Sequence, residues 1–261
     1  MKKFMFVAAV AAGLAAFGEG IESANTVGYE TRSLTAGAQV INGANFVTVG
    51  EDSLDLQSIK MDDTVVDGGA QIWWWNGNTY DAQAFWYTEL YADEEGETTL
   101  GYSGWGDFDY WMPISKTFAP GESFWIKCGV NATYTLAGEI VGCTAAEEYF
   151  GIDLTGGAQV QITNPFPVGE FSLQDIKMDD TVVDGGAQIW WWNGSTYDAQ
   201  AFWYTELYAD EEGETTLGYA GWGDFDYWMP IEKTFQTGQA FWIKSGVNAT
   251  VMFPNPFYVA P

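Results

Sequence analysis

The 261-residue chain has no histidine, two cysteines, and nine basic residues against 36 acidic ones. Without an imidazole there is no Ser-His-Asp or Cys-His nucleophile pair, no histidine-ligated zinc and no imidazole general base. The common hydrolase chemistries are thereby excluded, and the composition points to a protein that is not an enzyme. The shortage of cations excludes nucleic acid as a partner, because phosphate would be repelled, and simple attraction to anionic lipid fails for the same reason. Long apolar runs are also missing. The one continuous stretch, Phe4 to Phe17, is too short at ~1.5 Å per helical residue to cross a bilayer.

That stretch follows Met1-Lys2-Lys3 and turns polar at Glu19, the layout of a bacterial signal peptide over residues 1–18. Ala16 and Gly18 place small residues three and one before a cut at Glu19. The expectation is a secreted or cell-surface protein with no membrane span in its mature chain. Loss of Lys2 and Lys3 leaves seven basic groups and a net charge of about −29. Such a charge suits solubility in an extracellular setting, and it leaves cation binding open.

The dominant feature that is present is a duplication. Leu56 to Thr133 aligns without gaps on Leu173 to Thr250 at an offset of 117, with nine differences. These are Ser58/Asp175, Asn78/Ser195, Ser103/Ala220, Ser115/Glu232, Ala119/Gln236, Pro120/Thr237, Glu122/Gln239, Ser123/Ala240 and Cys128/Ser245. Upstream the match is looser, at an offset of 120: Tyr29, Leu34 and Gly37 to Val40 face Tyr149, Leu154 and Gly157 to Val160. The shift between registers belongs in a loop near Gly50 to Asp55. Units of this size can bury their own cores. The expected division is a first β domain over 19–141, a linker at 142–146 and a second β domain over 147–261.

The cysteines fit this scheme. Cys128 closes the first unit, Cys143 sits in the linker, and the second copy lacks both, with Ser245 in place of Cys128. A Cys128–Cys143 disulfide is expected in an oxidising compartment and would contribute about 3 kcal/mol in the chain-entropy account. The spacing is not that of a Cys-X-X-Cys redox motif.

Strand signals run throughout. Gln71 to Trp75, Asn76-Gly77 and Asn78 to Tyr87 read as a hairpin with a two-residue type I′ turn, repeated at Asn193-Gly194. Pro120-Gly121 marks a turn before a strand at Phe124 to Lys127, and Asn131 to Leu136 reads as a closing strand. One-turn helices are expected near Leu56 to Met61 and Tyr91 to Glu97, and Asn164 to Pro167 and Pro254 to Phe257 cannot be central strands. The fold class is all-β, two tandem sandwich-like or partly closed barrel domains.

Several motifs carry a resemblance: Glu22-Ser23-Ala24-Asn25-Thr26-Val27-Gly28-Tyr29, Leu34 to Gly37, the Trp-Asn-Gly hairpin, Pro120 to Lys127 and Leu136 to Ile140. Together they resemble a group of uncharacterised secreted bacterial β-repeat proteins. The resemblance implies export and a β fold. That group has no established activity, so it brings no catalytic residue.

Two residue classes remain as candidates for function. Successive strand residues alternate faces, so Trp73 and Trp75 cannot share a face with Trp74. One face of each Trp-rich strand goes to the core. The other needs a second layer, a loop such as Tyr91 to Gly106, a partner subunit or a ligand. Trp73, Trp74, Trp75 and Trp86, with Trp190, Trp191, Trp192 and Trp203 in the second copy, are therefore the candidate interface or glycan-stacking aromatics. Carboxylates cluster beside glycines at Asp62, Asp63, Asp107 and Asp109, and again at Asp179, Asp180, Asp224 and Asp226. Calcium favours oxygen ligands held by turns, although none of these has EF-hand spacing. A glycosidase carboxylate pair is not set apart from its charged neighbours. The functional expectation is a self-associating structural or adhesive protein, a homo-oligomer or polymer. The alternative is a tandem carbohydrate-binding module.

Overall fold

The computed structural model describes residues 27–80, 82–90, 101–109, 112–141, 147–167, 169–192, 196–197, 199–207, 220–225 and 229–258. The chain is all-β, and each repeat contributes ten strands among the described residues. In the first they are β1 (Val27–Leu34), β2 (Gln39–Gly43), β3 (Leu54–Asp55), β4 (Lys60–Met61), β5 (Ala70–Trp74), β6 (Ala82–Tyr87), β7 (Gly104–Gly106), β8 (Thr117–Phe118), β9 (Ser123–Cys128) and β10 (Ala132–Glu139). In the second they are β11 (Tyr149–Leu154), β12 (Gln159–Ile162), β13 (Glu170–Ser172), β14 (Lys177–Met178), β15 (Ala187–Trp191), β16 (Ala199–Tyr204), β17 (Gly221–Gly223), β18 (Thr234–Gln236), β19 (Phe241–Ser245) and β20 (Ala249–Pro254).

Each repeat has the same three antiparallel sheets. The orders are β1-β10-β4, β2-β9-β5-β6-β7 and β3-β8 in the first, and β11-β20-β14, β12-β19-β15-β16-β17 and β13-β18 in the second. Alternation along the strands explains the layering. On β10, Ala132, Tyr134 and Leu136 turn inward; on β9, Phe124, Ile126 and Cys128 do; on β5 and β6, Ile72, Ala84 and Trp86 do. The three-stranded and five-stranded sheets thus close on one apolar core. The second repeat has its own core, built from Ile189, Ala201, Trp203, Phe241, Ile243, Val251 and Phe253 among others.

One tryptophan and one glutamine of each unit are satisfied in the same way in both copies. The Trp105 indole donates to the Ile59 carbonyl at 2.8 Å, and Trp222 donates to Ile176 at 2.9 Å. The Gln57 amide donates to the carbonyls of Trp105 (2.7 Å) and Ile114 (3.0 Å) and accepts from Trp105 N–H (2.9 Å). Gln174 repeats the arrangement on Trp222 and Ile231. Both glutamines sit in single-turn 3₁₀ helices, Leu56–Ser58 and Leu173–Asp175. The first of these is where a one-turn helix was expected; the expected helix at Tyr91 to Glu97 lies outside the described residues.

The hairpin differs from expectation. Trp74 pairs with Ala82, so the strands are joined by more than a two-residue turn; the repeat of the turn at Asn193-Gly194 lies outside the described residues. The cause is Asn76, whose Oδ1 accepts from the N–H groups of Asn78 (2.9 Å) and Thr79 (2.8 Å), with Gly77 at φ 97°. The side chain stabilises a wider turn than backbone pairing alone would select. Pro120-Gly121 forms the expected turn, with Glu122 N–H on the Ala119 carbonyl at 2.9 Å. No helix among the described residues is long and apolar enough to cross a membrane. Cys128 is buried in the first core; Cys143, and with it the expected disulfide, lies outside the described residues.

Candidate functional site

The five-stranded sheets sort the tryptophans. Trp74 meets Phe118 edge-on at 6.0 Å, and Trp191 meets Phe235 at 5.9 Å. Trp86 and Trp203 pack on Trp105 and Trp222, each at 5.4 Å. These four pack on the cores, Trp74 partly buried and the other three buried. Trp73 and Trp190 point the other way, as alternation requires.

On that outer face of the first repeat, one cross-strand row reads Ile41, Trp125, Trp73, Gln83. The Trp73 and Trp125 rings lie parallel within 10°, centroids 6.5 Å apart. The Gln71 amide donates to Gln83 at 2.5 Å, and Gln188 donates to Gln200 at 2.6 Å in the second repeat. At the far edge Phe85 holds Phe108 at 5.2 Å, and Phe202 holds Phe225 at 5.2 Å. Phe108 and Phe225 remain 68% and 67% exposed, and Val66 and Val183 69% and 72%. The sequence reading did not single out these phenylalanines, although their outward position beside an acidic pair, Asp107/Asp109, was visible.

The near edge is covered by the sister repeat. Trp75 packs on Tyr80 (5.1 Å) and edge-on against Trp242 (5.4 Å), while Tyr80 lies between Trp125 (6.3 Å) and Trp242 (6.1 Å). The Tyr80 hydroxyl donates to Gln161 Oε1 at 2.5 Å, and the Ser123 hydroxyl donates to the Gln161 carbonyl at 3.0 Å. The backbone joins too: Thr163 N–H donates to the Gly121 carbonyl at 2.8 Å, beside a bridge between Glu122 and Ile162. Part of the aromatic face is therefore covered by the second copy of the same unit. Trp192, the equivalent of Trp75, packs on Tyr197 (5.1 Å) and is 45% exposed.

Two of the candidate calcium ligands, Asp62 and Asp179, are engaged by threonines. Asp62 accepts from both N–H and hydroxyl of Thr64 and of Thr133. These bonds, the Thr64 hydroxyl first, hold its carboxyl down at about 2. Asp179 accepts from Thr181 and Thr250. Partial burial opposes ionisation there, but the hydrogen bonds prevail and its pKa is lowered. Each aspartate thus ties a turn to the β10 or β20 strand. Asp63 and Asp180 are exposed. Asp107 and Asp109, with Asp67, lie around the Tyr87 phenol, which burial first and these charges second push up to about 12. Asp67 itself accepts from Thr88 N–H and hydroxyl, both at 2.6 Å. Asp224 N–H closes on the Met229 carbonyl at 2.9 Å, and Asp226 lies outside the described residues. Among the described residues no three carboxylate or thiol groups converge as a metal site.

A cleft of about 390 Å³ opens in the second repeat between β11, β14, β16 and β20, walled by Tyr149, Lys177, Asp180 and Trp203. Burial lowers the pKa of Lys177, whose ammonium donates to the Gln174 carbonyl at 2.9 Å.

No protein-family model, curated protein or solved structure matches this chain.

Proposed function

We propose that the protein is a secreted, non-catalytic structural or adhesive component, a self-associating building block of an extracellular layer, sheath or filament. The observation that carries this reading is the set of large apolar side chains left exposed at the same positions in both repeats, Phe108 and Val66 in the first and Phe225 and Val183 in the second. Phe108 and Phe225, each seated on a phenylalanine of the sheet edge and otherwise open to solvent, are the apolar surface this reading assigns to contact. Having one on each repeat makes the chain bivalent, and a bivalent unit that bonds to its own kind extends into strings or layers. The high negative charge opposes indiscriminate aggregation and leaves these patches as the places where chains meet. Light scattering and negative-stain microscopy of the mature protein test the reading. Oligomers or fibres are expected, and the Phe108→Ser/Phe225→Ser variant loses them. A clean monomer at high concentration, with and without calcium, overturns it.

A second reading, a tandem carbohydrate-binding module, draws support from the parallel Trp73–Trp125 pair flanked by the Gln71–Gln83 amides. Flat indoles beside amide donors and acceptors suit the apolar faces and hydroxyls of a sugar. Quenching of tryptophan fluorescence by a polysaccharide, abolished in Trp73→Ala, is the expected outcome; silence across a glycan array removes this reading.

A further inference from the structure

The two repeats meet through reciprocal contacts. A Cβ added at Gly121 would meet Ile152 Cδ1 at 2.6 Å, and one added at the equivalent Gly238 would run into the guanidinium of Arg32. Arg32 and Ile152 are themselves equivalent, since Arg32 pairs with Tyr134 on β10 and Ile152 with Val251 on β20. The two turns therefore exchange the same contact across an approximate local two-fold axis. Gly43 and Thr163 are also equivalent, and they touch each other: a Cβ on Gly43 would collide with the Thr163 methyl. Those two positions mark the axis.

The reciprocal contacts are alike in place and opposite in chemistry. Arg32 donates to Asn42 (2.9 Å), Asn45 (2.8 Å) and Glu30 (2.7 Å), and Asn45 donates across the junction to the Asn164 carbonyl (2.5 Å). The equivalents of Glu30, Arg32, Asn42 and Asn45 are Phe150, Ile152, Ile162 and Pro165, all apolar. Ser123 bonds to Gln161 on one side; their counterparts Ala240 and Ile41 carry no polar side chain. Four of the nine differences within the closely matched segment fall in this turn, at Ala119, Pro120, Glu122 and Ser123. Differences in both the loosely and the closely matched segments thus fall where the copies touch.

We infer that the junction is a heterotypic lock that pairs a first repeat only with a second repeat. Thr163 is the knob and Gly43 the hole. Two second repeats would set Thr163 against Thr163 on the axis, and two first repeats would leave the space between paired glycines empty. The partner of each surface is a copy of the other repeat, so the two repeats of one chain satisfy each other and leave this junction closed to further growth.

The test is made on the full mature chain with a protease site inserted between Thr144 and Ala145, cut and examined by native mass spectrometry. First–second, first–first and second–second pairs differ in mass and are counted directly. Pairs of unlike repeats are expected to exceed nine-tenths of the total. Statistical pairing, with unlike pairs near one half, or separation of the halves at micromolar concentration, overturns the inference. Thr163→Gly, which removes the knob, is expected to raise second–second pairs at least fivefold. Gly43→Thr is expected to weaken unlike pairing at least tenfold, and Gly43→Thr/Thr163→Gly to recover most of it. If Gly43→Thr does not fold, Ser123→Ala/Gln161→Ile supplies a milder change that raises like pairs severalfold. An unchanged distribution in Thr163→Gly and in that variant overturns the lock.

Discussion

Trp75 of the first repeat stands edge-on to Trp242 of the second, centroids 5.4 Å apart at 88°, whereas its equivalent Trp192 is 45% exposed. The same residue in the same local sequence is therefore a junction residue in one copy and a surface residue in the other. Trp75→Ala should cost more than 1 kcal/mol of stability, the value of an aromatic pair beyond its buried area being about 1 kcal/mol. Trp192→Ala should stay within ~0.5 kcal/mol of wild type. Urea unfolding of the two variants gives the comparison, and equal losses would contradict the asymmetry.

Asp62 makes stability depend on acid. Its carboxyl is held at about 2 in the fold, against 3.8 in the unfolded chain. A depressed carboxyl stabilises the fold fully above the unfolded value and loses that contribution as pH falls from about 4 through about 2. The melting temperature should drop across this window, and Asp62→Asn should flatten part of the drop while lowering stability at neutral pH. Because Asp62 is occupied by Thr64 and Thr133, any calcium-dependent rise in melting temperature should survive this substitution.

Gln57 and Gln174 each bridge the backbone at β7 or β17 to the segment that follows it. Replacing either with Ala leaves buried backbone groups unpaired, at about 1–3 kcal/mol for each group so exposed to loss. Gln57→Ala and Gln174→Ala should therefore destabilise by similar amounts in thermal unfolding. A neutral result for either would mean that water replaces the amide there.

Alkali should act through the buried phenols. Burial pushes Tyr87, Tyr134 and Tyr197 up to about 12. A phenol raised above its unfolded value near 10 stabilises the fold below pH 10 and loses that contribution as pH rises from about 10 to about 12. Absorbance titration of tyrosinate should show a late group of phenols that ionise together with unfolding.

Much of the architecture is legible in strand alternation. The inward Ile72, Trp74, Ala84 and Trp86 against the outward Gln71, Trp73 and Gln83 follow from a period of two, and so do the paired sheets. The turn at Asn76-Gly77 was misread because backbone rules for a two-residue loop do not include the Asn76 side chain, which ties Asn78 and Thr79 into a wider one. The carboxylates were legible as clusters, but sequence cannot show that Asp62 is already satisfied by Thr133, 71 residues away. The junction was the least legible part. It lies in the region where the copies match loosely: the offset of 120 sets Arg32 against Ile152 and Gly43 against Thr163 as unlike letters, and nothing in the sequence shows that such positions meet across a junction.

The near two-fold junction has a consequence for life in a dilute medium. Two separate chains held by the same contacts would dissociate as their concentration fell. Here the partners belong to one polypeptide, and covalent linkage of this kind sets an effective local concentration that dilution does not lower. Pairing of the repeats is thereby made independent of how much protein is present.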